Sequence, residues 1–339
     1  MQWNEKKVLV TGGASFIGSH LVDHLSRRGV GHLRVVDDLS TGKLEHIQEY
    51  VQTNRVEFYQ KDLLSDGVAR EMVQDMDVVF HLAAIHGGRG YIDLHQAECA
   101  QNLILDGLVI REAYQAGVEN FVFASSGCVY PTELQSDVNK EVYLREEMVG
   151  PPYSSDGIYG WAKLMAELTL KAYYREHGFK SVSCRFFTVY GERCLESHAI
   201  MAMTGRAFLR QKPFEVWGDG TQIRNWTYVK DIVNGMVLAA EKIDDGTAIN
   251  LGTEEAIRVI DAARLILEYS GHDAEIKLLT HMPTGPLNRV ANHRLAYDLL
   301  GWQPKTKFAD GLRQTVDWYF ATKNRAVVGK NFAQKLIER

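Results

Sequence analysis

The sequence predicts an α/β fold: a doubly wound parallel sheet joined to a smaller mixed α/β lobe. Three observations carry this prediction. Short β-branched runs alternate with segments of helical period through the first half of the chain. A glycine-rich turn follows the first run. After Ser197 the alternation breaks into shorter mixed pieces. At 339 residues the chain can form one large body or two intimate ones, taking roughly 150 residues per domain.

The elements follow in order. Val8-Leu9-Val10 reads as a strand, and the next helix spans 16–28, with Ile17, Leu21 and Leu25 on one face. Further strands are expected at 33–36, 56–59 and 78–82. A long helix over 102–116 leads to a strand at 121–125, and another over 157–176 leads to a strand at 181–186. That makes about six strands in alternation with helices. Beyond them lie a helix near 199–210, strand-like runs at 214–217 and 227–229, and helices near 231–241, 256–269 and 309–322. Neither an internal repeat nor a low-complexity linker divides the chain, so two lobes with a cleft between them are expected. The expected division is 1–186 for the first lobe, with 215–245 returning to it, and 187–214 plus 246–339 for the second.

Composition narrows the function. Lys and Arg number 38 against 43 Asp and Glu, a net charge of −5 without long like-charge runs, so no nucleic-acid partner is expected. No apolar stretch approaches the ~18 to 20 residues of a membrane span, and Met1 to Lys7 runs into a strand without a signal-peptide pattern. The expectation is a cytoplasmic protein without a membrane partner. The four cysteines, Cys99, Cys128, Cys184 and Cys194, have no metal-ligand spacing and suit reduced thiols.

Thr11-Gly12-Gly13-Ala14-Ser15-Phe16-Ile17-Gly18 sits where a strand-to-helix turn brings backbone N–H groups and a helix N-terminus against a pyrophosphate. Gly12 and Gly18 fit the glycine spacing, and the middle position is Ser15. Asp37 ends the second strand 19 residues after Gly18, where an acid accepts hydrogen bonds from ribose hydroxyls and disfavours the extra phosphate of NADP. The predicted cofactor is NAD, on a Rossmann-type sheet. Asp38 is a second candidate for the ribose, and Asp62, after the third strand, reads as either an adenine contact or a helix cap.

Tyr159 and Lys163 stand four residues apart on one helix face. A nearby ammonium lowers the pKa of a phenol, which can then accept the proton of a hydroxyl being oxidised. Ser126 is expected to hydrogen-bond the same substrate hydroxyl.

With these residues in place, the chain resembles the extended short-chain dehydrogenase/reductases of the nucleotide-sugar epimerase and dehydratase type. The resemblance rests on the glycine loop, Asp37, His81-Leu82-Ala83-Ala84, Ser125-Ser126, Tyr159 with Lys163, Arg185-Phe186-Phe187 leading to Tyr190-Gly191, Trp217-Gly218-Asp219-Gly220, Arg224 and Leu300-Gly301-Trp302, and covers nearly the whole length. It implies cofactor contacts from Phe16, Ile17, Leu63 and Ala83 as well, and a nucleotide-diphosphate sugar in the second lobe with Arg224 and Arg289 toward the diphosphate. It also implies a homodimer formed by two helices of each subunit.

The reaction is read from Ser126-Gly127-Cys128-Val129-Tyr130-Pro131. The Asp-Glu pair of 4,6-dehydratases is replaced here by Gly127 and Cys128. The segment is similar to the GDP-mannose 3,5-epimerase and GDP-fucose synthase families, which move protons on carbons flanking a 4-keto group with a cysteine and a second acid/base. His198 stands where those families put the second group, and Ala84 to Tyr91 resembles a glycine-rich substrate loop, with Gly88, Arg89 and Gly90 as sugar or phosphate contacts and His86 as a loop residue. Cys194, close to His198 in sequence, is the rival thiol; Cys99 and Cys184 read as core. Thr188 and Asn292 depart from the family's usual Asn and Asp near the sugar pocket. The resulting expectation is oxidation at carbon 4 with Tyr159, Lys163 and Ser126, then epimerisation at carbon 5, carbon 3 or both by Cys128 and His198, on a GDP-hexose by preference. A UDP-sugar 4-epimerase, an NADPH-dependent epimerase-reductase and a catalytically silent nucleotide sensor or scaffold remain the alternatives.

Overall fold

The computed structural model describes residues 1–140 and 142–335. Its centre is a seven-stranded, all-parallel sheet: β1 (Lys7–Thr11), β2 (His32–Asp37), β3 (Glu57–Gln60), β4 (Val78–His81), β5 (Asn120–Ser126), β6 (Ser181–Phe186) and β7 (Ala248–Leu251), in the order β7-β6-β5-β4-β1-β2-β3. Parallel strands need covering on both faces. Helices α1 (Phe16–Arg27) and α4 (Val229–Lys242) cover one face through Leu21, Leu25, Ile232 and Met236. Helices α2 (Asn102–Gln115) and α3 (Gly157–His177) cover the other through Leu105, Val109, Ala166 and Leu170.

Register brings the carboxyl ends of the strands together. Thr11 pairs with His81, His81 with Phe123, and Ser126 with Phe186. The strand order reverses between β1 and β4, the switch point at which open α/β sheets bind ligands.

Two expected boundaries are corrected. The seventh strand belongs to the central sheet, pairing Leu251 with Phe186, although the expected division gave everything from 246 to the second lobe. Its four residues include Asn250, a polar residue that is buried with its Oδ1 accepting from Tyr130 Oη at 2.7 Å and its Nδ2 donating to the Leu144 carbonyl at 2.8 Å. Residues 214–217, in turn, pair with 276–279 in the second lobe, so the chain returns to the first lobe only at Val229. Helix Arg294–Leu300 and Trp302 also pack onto the first lobe's core.

The second lobe contains short strands at Thr188–Tyr190 and Trp226–Tyr228, a three-stranded piece centred on Ile223–Arg224, and helix Ala199–Phe208, around Tyr190, Phe214, Trp226 and Phe308. Among the described residues no helix is long and apolar enough to cross a membrane, and no cluster of side chains could hold a metal ion.

Candidate active site

The glycine loop closes on itself. Gly12 has a φ of 67°, and a Cβ on Gly18 would strike the Gly12 carbonyl, so both positions require glycine. Gly12, Ser15, Phe16, Ile17 and Gly18 line a cavity of about 240 Å³ that extends to Ser126, Cys128 and Tyr159. Asp37 accepts from the Ala14 amide at 3.0 Å, Ser15 Oγ at 3.1 Å and the Leu39 amide at 2.9 Å. Burial pushes its carboxyl above the ordinary value against the pull of those three donors. Ser15, the departure from the glycine spacing, therefore ties the loop to the acid. Asp38 instead accepts from Ser40 at 2.9 and 2.7 Å and is exposed.

Three expected cofactor residues have other partners. Asp62 is exposed and caps the Leu64 amide at 2.9 Å, and the Leu63 side chain packs into the core. The Ala83 amide donates to Thr11 Oγ1 at 3.0 Å, which holds the end of β4 against the loop. The open cradle, the helix N-terminus at Phe16 and Asp37 nonetheless form a site of the right chemistry for NAD.

Helix α3 brings Tyr159 to Ser126 because Gly160 lets the helix backbone touch the Cys128 carbonyl, which also accepts from the Asp156 amide at 2.8 Å. Ser126 and Tyr159 line the same cavity, and Ser126 Oγ accepts from the Cys128 amide at 3.1 Å. The expectation that Lys163 draws the phenol down is not met. Burial raises the Tyr159 phenol, and its neighbours Cys128, Asp106 and Cys99 raise it further. The Lys163 ammonium is occupied elsewhere, 3.3 and 3.5 Å from the two oxygens of Asp106. Asp106 accepts in turn from His81 Nε2 at 3.1 Å, and His81 Nδ1 lies 2.8 Å from Thr11 Oγ1. Sequence reasoning missed this buried chain. Its signal was an acid on the apolar stripe of a helix, in line with Asn102, Leu105, Val109 and Ala113.

Cys128 is buried, and Arg289 Nη1 donates to its Sγ at 3.3 Å. The same guanidinium donates from Nε to Gln135 at 2.6 Å and from Nη2 to Asp156 Oδ2 at 2.7 Å. Arg89 Nη1 reaches that same carboxylate oxygen at 2.7 Å, and Arg89 also pairs with Asp93. Burial pushes the Asp156 carboxyl up, and the two guanidiniums outweigh it. Asp156 precedes α3 as a helix cap would, yet its side chain makes no cap bond and serves the arginines instead. Arg224 donates to the carbonyls of Ile223 and Thr284, and burial together with Arg289 and Arg89 lowers its guanidinium to about 9.

A second cavity, also about 240 Å³, is walled by Gly88, Arg89, Gly90, Thr188, Arg224 and Arg289. Both cavities reach Cys128, Thr188, His198 and Arg289, so they meet at the thiol and the histidine. His86, expected as a plain loop residue, lines the first cavity with its ring centroid 6.1 Å from that of His198. The rival thiol is elsewhere: Cys194 packs with Met201, Tyr319 and Phe332, and burial raises its thiol. All four cysteines are free.

Residues 8–252 match the NAD dependent epimerase/dehydratase family. The chain is 32% identical over 323 residues to GDP-mannose 3,5-epimerase 1 of Oryza sativa subsp. indica, covering 93% of this chain and 82% of the relative. It is 32% identical over 317 residues to the uncharacterized UDP-glucose epimerase YtcB of Bacillus subtilis (strain 168), covering 91% and 96%. Its fold matches the UDP-glucuronic acid 4-epimerase of Bacillus cereus, solved with UDP-glucuronic acid and NAD, with a TM-score of 0.84 and 29% identity over 94% of this chain and 100% of that one.

Proposed function

This chain belongs to the NAD dependent epimerase/dehydratase family and is an NAD-dependent nucleotide-sugar epimerase; from that premise we propose that it epimerises carbon 5, carbon 3 or both of a GDP-hexose through a transient 4-keto sugar. NAD⁺ held by the glycine loop and Asp37 supplies a reversible acceptor for the hydride of carbon 4. Tyr159, which lines the cavity together with Ser126, takes the proton of the 4-hydroxyl and later returns it. The ketone acidifies the hydrogens on its neighbouring carbons. Cys128 and His198 then act from opposite faces, one removing a proton and the other supplying one, so no net redox change results.

The observation that carries this reading is the meeting of the two cavities at Cys128 and His198, beside Tyr159. A 4-epimerase has no need of a thiol there. Arg289 Nη1 donates to the Cys128 Sγ, fixing the thiol where the two cavities meet. Arg89, Arg224 and Arg289 crowd one wall, with Asp156 shared between two of them, and a diphosphate would offset the burial and the like charge that together depress Arg224. The proposed dimer has its surface in Leu103 and Ile104 of α2 and Trp161 and Met165 of α3, all exposed.

The test is incubation of the purified protein in D₂O with GDP-, UDP- and dTDP-hexoses. A new isomer heavier by one or two mass units supports the proposal and identifies the nucleotide. An isomer of unchanged mass leaves a 4-epimerase and sinks the role of Cys128.

A further inference from the structure

His86 lines the cofactor-side cavity, and the chemistry proposed above gives it nothing to do. The fold nonetheless holds it from both sides. Asn102, buried at the start of α2, donates from Nδ2 to the Ile85 carbonyl at 2.8 Å, and its Oδ1 accepts from the Ile85 amide at 2.8 Å. After His86, Gly88 lies against the Ser197 carbonyl and Gly87 against the Tyr91 side chain, where a Cβ on either would clash. The two glycines thus let the loop touch the residue that precedes His198. The two imidazoles stand side by side, their centroids 6.1 Å apart and their planes at 60°, a separation that one water can span.

The His86 ring is exposed to the cavity, and no hydrogen bond from another described residue holds it. A histidine kept for packing is tied down, as His81 is between Thr11 and Asp106. Enclosure in the cleft, then His198 and Lys163, lower the His86 imidazole to about 4. It is therefore neutral at neutral pH, with one nitrogen carrying a proton and the other able to accept one.

The proposed epimerisation creates a need for such a group. Each inversion moves a proton from the sugar carbon onto one member of the Cys128 and His198 pair and takes one from the other. Before the pair acts again, one member must lose a proton and the other must regain one. Cys128 is buried and bonded to Arg289, whereas His198 lines both cavities with His86 beside it.

We propose that His86 is a proton relay that resets His198 between inversions. When His198 has given its proton to carbon, the His86 N–H donates to the deprotonated nitrogen of His198, directly or across one water. The other His86 nitrogen takes a proton from hydronium or a buffer acid in the cavity. Cys128 releases to solvent the proton it removed from the sugar, so the cycle balances and His86 ends neutral, as it began. When His198 has instead gained a proton, the same transfers run backwards. This inference rests on the epimerisation proposed above and concerns how the site is reset, not how the carbon is inverted.

The experiment follows deuterium uptake from D₂O into GDP-mannose by the parent, His86→Ala and His86→Phe, with thermal melts to establish folding. Phenylalanine keeps a ring against His198 but carries no proton. Steady-state uptake should fall roughly ten- to a hundredfold in both variants, while with enzyme in excess the first deuterium should enter within about threefold of the parent's rate. Imidazole added to the buffer should restore uptake in His86→Ala, which leaves room for it, and not in His86→Phe. Parent-like uptake in His86→Phe, no restoration of His86→Ala by imidazole, or a first deuterium slowed as much as the steady state overturns the relay and leaves the epimerisation standing. A parent that takes up no deuterium overturns the epimerisation and the relay with it.

Discussion

The candidate site has two halves that meet at Cys128 and His198, and they hold their polar groups in opposite ways. On the cofactor side, Tyr159 stands over a closed chain, Lys163 to Asp106 to His81 to Thr11, in which the described polar atoms have partners and little charge is left over. On the sugar side, Cys128 lies beside an arginine cluster whose single shared carboxylate, Asp156, leaves net positive charge facing the cavity. The first half is internally paired; the second carries more guanidiniums than carboxylates, as the proposed diphosphate ligand requires. A hydride step benefits from fixed geometry, whereas selecting a diphosphate requires unsatisfied cations.

The largest effect should come from the residue both halves depend on. Tyr159→Phe removes the acid/base of the carbon 4 step, and turnover should fall roughly 10³- to 10⁴-fold. Deuterium uptake should vanish with it, because no ketone forms to acidify the neighbouring hydrogens. Uptake that persists in this variant would break the order of steps proposed here.

Cys128→Ser separates the halves. Deuterium uptake should drop roughly 10²- to 10³-fold, since a serine hydroxyl is a far weaker acid and base at this site. Oxidation at carbon 4 should continue, visible as the near-ultraviolet absorbance of reduced cofactor when substrate is added. Loss of that signal too would place the thiol on the cofactor side of the comparison.

How much of each half was legible in the sequence follows from how it is wired. The cofactor side is largely local: Gly12, Gly18, Asp37, Tyr159 and Lys163 lie within short motifs, because a strand-turn-helix unit imposes spacing on its residues. The alternating pattern likewise gave six of the seven sheet strands. The seventh escaped because Asn250 is buried by hydrogen bonds whose partners lie over a hundred positions away in sequence. The sugar side is assembled the same way, with Arg289 reaching Cys128 across 161 positions and Asp156 across 133. No spacing encodes such contacts. Cys128 and His198 were found through resemblance, whereas neither Asp156 nor Asp106 stood out in the sequence.

Asp106 tests whether the closed chain matters for chemistry or only for folding. Its charge is among the groups that raise the Tyr159 phenol. Removing it lowers that phenol's pKa, and because a general base works deprotonated, the rising limb of the kcat/KM profile for Asp106→Asn should move to lower pH. Turnover should fall about ten- to a hundredfold as Lys163 loses its anchor. Asp106→Leu, which leaves the Lys163 ammonium buried without a counter-ion, should cost about 3 to 5 kcal/mol in stability by chemical denaturation. A purely structural carboxylate would lower stability and leave the pH limb where it was.

The smallest effect concerns Ser15, where this chain departs from the glycine spacing. A glycine there would free the loop; the serine instead donates to Asp37 at 3.1 Å and adds one more fixed contact to the half that is already closed. Ser15→Ala keeps the backbone and removes that hydrogen bond. Asp37 retains the amides of Ala14 and Leu39, so the loss should be near the low end for a bond to a charged acceptor, about 1.5 kcal/mol, or roughly tenfold in NAD affinity by fluorescence titration. Nucleotide affinity on the sugar side should not change. An equal loss of GDP affinity would mean that the two halves are mechanically one, with Asp37 and the loop setting the shape of the sugar cavity as well as their own.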